Sequence, residues 1–251
     1  MGRRPTNLNR WANGPPYEIM LIDLNADLGE GAGTDADMMP LITSANISCG
    51  FHAGDPDTIA AALELAKTHA VVVGAHPGYA DREHFGRREM SLPGSQLCEL
   101  VCGQLVQFAE AARRTGQSVR YVKPHGALYN QAMRDAAVAG GLLDAIAGFT
   151  LPLVGLPGSV LERLAIERGC SFIPEGFADR RYRPDGALVP RTESDALIHD
   201  PKEAVEQVEW LIGKQKVRTV CVHGDTPGAV EFVRAVRGFL LDRGHELKAF
   251  A

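Results

Sequence analysis

The sequence predicts an α/β protein, an irregular seven-stranded (β/α) barrel. Three observations carry that expectation. Short β-branched apolar runs alternate with amphipathic segments from Ile19 onward. Four histidines stand on or just past the ends of such runs, each close to glycine: Phe51-His52-Ala53-Gly54, Ala75-His76-Pro77-Gly78, Pro124-His125-Gly126-Ala127 and Val222-His223-Gly224-Asp225. No shift in composition divides residues 19–251, a length that one α/β barrel commonly fills. Polar groups repeated at successive strand ends imply parallel strands converging on one cleft, where barrel enzymes place their chemistry.

Taken in order, the strand runs are residues 20–25, 43–49, 71–75, 119–123, 151–155, 171–173 and 217–222. They are short and branched, as strands buried on both faces should be. Asp55-Pro56 opens a helix with Ile59, Ala62, Leu63 and Ala66 on one face. Ser95 opens the next, with Leu97, Leu100, Val101, Leu105, Phe108 and Ala112 inward and Gly116 past its end. Ser159 with Glu162 reads as a capping box, closed by Gly169. Asp200-Pro201 with Glu203 starts another helix, ended by Gly213. Thr226-Pro227 starts the last, with Val230, Val233, Val236 and Leu240 inward and Gly244 closing it. Each cap, first-turn proline and terminal glycine satisfies or removes an orphan backbone group. Right-handed crossovers then favour closure into a barrel, a doubly wound sheet being the alternative.

Residues 1–18 differ from the rest. They carry Arg3, Arg4, Pro5, Asn7, Asn9, Arg10, Asn13, Pro15 and Pro16 with no apolar run. A signal peptide needs about 7–15 apolar residues after its basic start. The segment reads as a disordered tail, or as an upstream extension with Met20 as the working start. The net charge of −5 gives no electrostatic footprint for nucleic acid or an anionic membrane. No stretch approaches the roughly 18 apolar residues of a membrane span. Five cysteines (49, 98, 102, 170 and 221) form no paired framework, which fits a reduced, cytoplasmic compartment.

Alternation along the first strand puts Asp23, Asn25 and Asp27 on one side, facing a barrel interior, and Glu30 follows among Gly29, Gly31 and Gly33. This is a metal or substrate shell, or a polar strand end leading into a turn. No Gly-x4-Gly-Lys-Ser/Thr loop exists, so any nucleotide binds without one. His52 and His76 could ligate a metal together with an acid such as Asp23, act as general acid and base, or only make structural hydrogen bonds. No His-x3-His or Cys-x2-Cys spacing supports metal locally. A lysine such as Lys123 at the inner end of an apolar strand is costly unless paired or working. It could polarise a carbonyl or phosphate with His125 moving a proton, or it could be an ion pair at the mouth. After the sixth strand, Glu175 could be a base, with Asp179 beside it, and Arg180 could clamp a carboxylate. The loop on to Arg191 is either a lid or a surface loop. Phe85-Gly86-Arg87-Arg88 could bind an anion or be solvated charge. His69, His84, His199 and His245 read as surface residues, and no Gly-x-Ser-x-Gly elbow supports serine catalysis.

The segments DLNADLGEG (23–31), SANISCGFHAGD (44–55), GAHPGYADREHFGRR (74–88), YVKPHGALYN (121–130), PEGFADRRYRPDGALVPR (174–191) and CVHGD (221–225) together resemble the LamB/YcsF lactam-utilisation family, the A subunits of 5-oxoprolinase. The resemblance runs from about Met20 nearly to the end; Ala26 and Ser48 are mild departures. It implies a barrel of the glycoside hydrolase and deacetylase type. It also implies ATP-driven opening of 5-oxoproline to glutamate, with subunits B and C required and ATP carried with Mg²⁺. On that reading Arg180 or Arg87 holds the substrate carboxylate, and Lys123 stabilises a phosphoryl group or oxyanion. His125 or His52 moves protons; Asp23, Asp27 or Glu175 orients them or holds the metal. Asn25, Glu30, His76 and Asp179 line the site, with His223 and Asp225 as its far wall. A metal-dependent carbohydrate deacetylase or amide hydrolase needing no ATP is the alternative enzyme, and a non-catalytic scaffold for partner subunits is a third class.

Overall fold

The structure is a computed structural model describing residues 19–225 and 228–251. The expected tail, residues 1–18, and the Thr226-Pro227 helix start lie outside the described residues. Strand β1 (Leu21–Leu28) leads through α1 (Asp35–Met38) to β2 (Ser44–Ser48), α2 (Pro56–Thr68) and β3 (Val72–His76). Then follow α3 (Gly94–Arg114), β4 (Val119–Val122), α4 (Gly126–Ala132), α5 (Ala136–Ile146), β5 (Leu153–Gly155), α6 (Val160–Glu167) and β6 (Phe172–Phe177). The chain closes with α7 (Pro201–Trp210), β7 (Thr219–His223), α8 (Ala229–Asp242) and a two-residue β8 (Glu246–Leu247).

Strands β1 to β7 form a closed parallel barrel because β1 pairs on one side with β2, Asn25 opposite Ser44, and on the other with β7, Asp23 opposite Thr219. β8 pairs only with Leu21 and Ile22. The chain beyond it reaches the barrel floor, where Phe250 packs edge-on against Tyr121, 4.9 Å between ring centres. The caps behave as expected at three helices: Asp55 accepts from the Thr58 N–H, Ser159 from Glu162, and Asp200 from Lys202.

Several boundaries differ from the sequence expectation, each for a physical reason. β6 continues past residue 173 to Phe177, so Glu175 points into the barrel rather than into a loop. Pro174 and Gly176 weaken the local strand signal, but pairing with β5 and β7 overrides it. No helix was expected after β4, yet α4 and α5 stand there. α5 is Ala/Gly-rich and buried nearly all round, so it shows no polar stripe by which to find it. α3 starts at Gly94 behind Pro93, leaving Ser95 inside the helix. α7 does not stop at Gly213 but runs into a π-turn over Leu211–Gln215, ending at left-handed Lys216.

Barrel interiors are usually filled by branched apolar side chains. This one is polar through most of its height: Asp23, Asn25, Asp27, Ser44, Asn46, Ser48, His76, Lys123, Glu175 and Thr219 are all buried. The strands close around Tyr121 only because β3 carries glycine opposite it. A Cβ on Gly74 would lie 2.2 Å from the Tyr121 ring.

Candidate active site

The strand carboxyl ends open into a cleft of about 960 Å³. Its base presents Asp27, Glu30, His76, Lys123, His125 and His223; its rim carries Arg87, Arg180 and Arg191. At the base the Lys123 ammonium sits 2.8 Å from Glu175 Oε1 and 3.0 Å from Asp27 Oδ1. Asn25 Oδ1 at 3.3 Å and Cys221 Sγ at 3.0 Å complete its surroundings. Asn25 Nδ2 donates to Glu175, and Asn46 Nδ2 donates to both Asn25 and Asp27. Tyr121 in turn donates to Asn46 Oδ1 at 2.7 Å. Burial opposes charge on Lys123, but Asp27, Cys221 and Glu175 outweigh it and raise its pKa well above 10.5. The residue is therefore a fixed cation rather than a base. Burial opposes ionisation of Asp27 too, yet His76 and Lys123 overcome it and hold the carboxylate low.

Above this base stand His52, His76 and His125 around Glu30 Oε1, which lies 3.1 Å from His52 Nε2 and 3.1 Å from His125 Nδ1. His76 Nδ1 is 2.7 Å from the Lys123 carbonyl, and His125 Nε2 is 2.9 Å from the Phe85 carbonyl. His52 stacks on His125, ring centres 3.8 Å apart and planes 4° apart. Burial pushes His52 down to about 3 and lowers His125. For His76 burial acts the same way, but Asp27 and Glu30 outweigh it and raise the ring. The Phe85-Gly86 turn seals this side: Phe85 is left-handed at φ 56°, and a Cβ on Gly86 would lie 2.7 Å from His52.

On the far wall Asp179 accepts from the His223 backbone N–H at 3.0 Å and lies 2.9 Å from its Nδ1. That contact places a ring hydrogen on Nδ1 and turns Nε2 toward the cleft, 3.6 Å from Asp27 Oδ2. Asp225 pairs with Arg87 and with Arg191 at 3.2 Å. Arg180 is folded into the wall, donating to the Val189 carbonyl at 2.6 Å. Arg87 is the more exposed of the two expected carboxylate binders.

The structure thus lines one cleft with Asp27, Glu30, His76, Arg87, Lys123, His125, Arg180 and His223, and sets Asn25, His52, Glu175, Asp179 and Asp225 against those residues. Asp23 is not with them, and the expected set of Asp23, His52 and His76 does not form. Its carboxylate lies lower in the barrel, bound by the hydroxyls of Thr43, Ser44 and Thr219 at 2.5–2.6 Å. Four metal-capable groups do meet elsewhere: Glu30, His52, His76 and His125 offer ligand atoms all within 4.8 Å of one another. Asp27, Cys221 and His223 form a second such group. Sequence reasoning missed Asn46, Thr219, Cys221 and Arg191. The alternation that exposed Asp23, Asn25 and Asp27 would also have found Ser44, Asn46 and Ser48 in β2 and Thr219 and Cys221 in β7.

A family model described as "LamB/YcsF family" matches residues 22–251. The chain belongs to the LamB/YcsF family. It is 46% identical over 242 residues to the 5-oxoprolinase A subunit of Methylococcus capsulatus, covering 89% of this chain and 93% of that one. The crystal structure of a lactam utilization protein from Thermus thermophilus superposes with a TM-score of 0.85 at 40% identity, covering 92% of this chain and all of that one. A peptidoglycan N-acetylglucosamine deacetylase shares the fold alone, at TM-score 0.51 and 10% identity over 94% of this chain and 88% of that one. Among the described residues no helix is long and apolar enough to cross a membrane.

Proposed function

We propose that this chain is the A subunit of an ATP-dependent 5-oxoprolinase, the barrel that binds 5-oxo-L-proline and opens its ring to L-glutamate, working with subunits B and C. The observation that carries the reading is a cation-rimmed cleft over a buried Lys123–carboxylate base, in a chain nearly half identical to a 5-oxoprolinase A subunit. A five-membered lactam is a poor electrophile, and opening it needs the ATP. Transfer of the γ-phosphoryl group to the lactam oxygen would make the ring carbon attackable. A first water would then add, the C–N bond break and the nitrogen take a proton, giving an acyl phosphate, and a second water would hydrolyse that acyl phosphate to the carboxylate and free phosphate. Nucleotide would bind, as its Mg²⁺ complex, without a Walker-type loop.

In this chain Arg87 would take the substrate carboxylate, sharing with it the charge now given to Asp225. Lys123 would face the oxygen where negative charge develops. The sequence reading gave proton transfer to His125 or His52. We assign it to His223, because Asp179 orients its ring and its Nε2 faces the cleft, whereas both nitrogens of His125 are engaged inside the cluster. The test is glutamate release by the chain combined with subunits B and C, with and without ATP. His223→Gln should lower turnover at least about 100-fold. Full turnover by a folded His223→Gln protein would refute that role, and glutamate release independent of ATP would favour a metal-dependent amide hydrolase.

A further inference from the structure

The imidazole cluster turns two ring nitrogens and a carboxylate oxygen onto one buried point. A backbone carbonyl can only accept, so the contacts to Lys123 O and Phe85 O place the ring hydrogens on His76 Nδ1 and His125 Nε2. Their other nitrogens, His76 Nε2 and His125 Nδ1, face each other at 3.0 Å. Both also face Glu30 Oε1, at 3.7 Å from His76 and 3.1 Å from His125. These two nitrogens and the carboxylate oxygen form a buried triangle that needs positive charge inside it, supplied by a ring proton or by a cation. A single proton serves one edge of the triangle, whereas a metal ion serves all three corners. The left-handed Phe85 backbone is a strained feature that holds one of these outer carbonyls in place.

Ring geometry selects the ligands. The His76 and His125 planes cross at 90° with their inner nitrogens 3.0 Å apart, so in-plane approach of one ion to both rings is open. The His52 plane lies within 4° of His125 and stacked upon it, so no point satisfies both, and His52 stays outside the coordination shell. Its Nε2–H instead donates to Glu30 Oε1, the outer contact that orients a ligating carboxylate. The three edges, 3.0, 3.1 and 3.7 Å, straddle the roughly 3.3–3.4 Å separating ligands at metal–ligand bonds of about 2.0–2.1 Å in a tetrahedron. Asp27 Oδ2, 3.3 Å from His76 Nε2, and His223 stand beside the remaining position.

We propose that Glu30, His76 and His125 bind one divalent first-row transition-metal ion, zinc being the type case, with a fourth position open to the cleft. Two imidazole nitrogens and one carboxylate favour such an ion over Mg²⁺ or Ca²⁺, which prefer all-oxygen shells. Bound there, the ion would lower the pKa of a coordinated water beside Asp27 and His223. The proposal stands whether or not the substrate is a lactam, because binding is read on the full chain without substrate.

The experiment is calorimetric titration of chelator-treated full-length protein with Zn²⁺, Co²⁺ and Mg²⁺ separately, with Co²⁺ also read by its visible absorption. One Zn²⁺ per chain is expected, with Co²⁺ giving the intense bands of a four- or five-coordinate site. Glu30→Gln and His76→Gln should each weaken Zn²⁺ at least about 100-fold, and His52→Phe, which keeps the stack but removes the N–H, about 10-fold. His69→Gln, on an exposed helix end, should change nothing. Circular dichroism confirms that each variant is folded. No Zn²⁺ or Co²⁺ binding by the unaltered chain overturns the proposal, as does binding unmoved by Glu30→Gln and His76→Gln, or a preference for Mg²⁺. If the metal binds as described but no ATP-dependent glutamate release is found, only the substrate reading fails.

Discussion

Lys123→Met keeps the length of the side chain and removes one charge from the base of the barrel. The ammonium lies 2.8 Å from Glu175 and 3.0 Å from Asp27, with all three side chains nearly sealed from water. Without it, two carboxylates face each other across a buried space with no lysine between them. Breaking a buried pair by removing one partner costs about 3–5 kcal/mol. At about 2–4 °C per kcal/mol for a domain of this size, Tm should fall by about 6–20 °C at pH 7.5. The loss should depend on pH with a definite sign. In the unaltered protein Asp27 is held low, so its contribution is present above its ordinary value of 3.8 and lost only in acid. In the variant Asp27 keeps His76 but loses Lys123, one of the two cations that hold it low, so less of that contribution remains. The deficit should therefore be small well below pH 3.8, open as pH rises through the acid range and be complete by pH 7. Urea unfolding of both proteins across that range measures it, and adding Glu175→Gln to the variant should restore about 1–3 kcal/mol at pH 7.5. A deficit under about 1 kcal/mol, or one that does not change with pH, would refute the view of Lys123 as the obligatory counter-ion.

Arg87→Ala should raise KM for 5-oxoproline by about 10–100-fold and leave kcat within about threefold, as loss of one charge-assisted carboxylate contact requires; steady-state kinetics on the complex decide it. Asp23 is pushed up to about 6, chiefly by burial and against its three hydroxyl donors. The folded state then keeps a proton that the unfolded state loses above 3.8, so this group makes stability fall as pH rises from about 4 to 6. Asp23→Asn should accordingly gain up to about 3 kcal/mol on the unaltered protein between pH 4 and pH 7, seen as a flatter pH profile of urea unfolding. Gly74→Ala should cost about 1–3 kcal/mol by driving a methyl into the Tyr121 ring. Tyr121→Leu in the same chain should lessen that cost, which a double-mutant cycle reads out.

Much of the barrel and its mouth is legible in the chain because parallel strands are buried on both faces and write themselves as apolar runs, with the chemistry at their ends. His52, His76, Lys123, His125 and His223 were visible on that ground alone, and so was the inward alternation of Asp23, Asn25 and Asp27. What failed locally failed where local signals are silent. α5 is buried all round, and β6 hides behind Pro174 and Gly176, which concealed that Glu175 points at Lys123. The depth of each inward residue was equally hidden. Alternation says which side of β1 Asp23 faces, but only closure of β1 against β7 puts Thr219 beside it and leaves Asp27 at the mouth.

Sequence by itself determined most of the alternating elements, three of their caps, the family and the residue types at the strand ends, all properties of short stretches. Tertiary structure alone decided which groups share a lone-pair triangle, which histidine is turned to the cleft by Asp179, and which arginine is folded away. Those outcomes depend on distances of a few ångströms between residues as much as 196 positions apart, set by strand register and ring orientation.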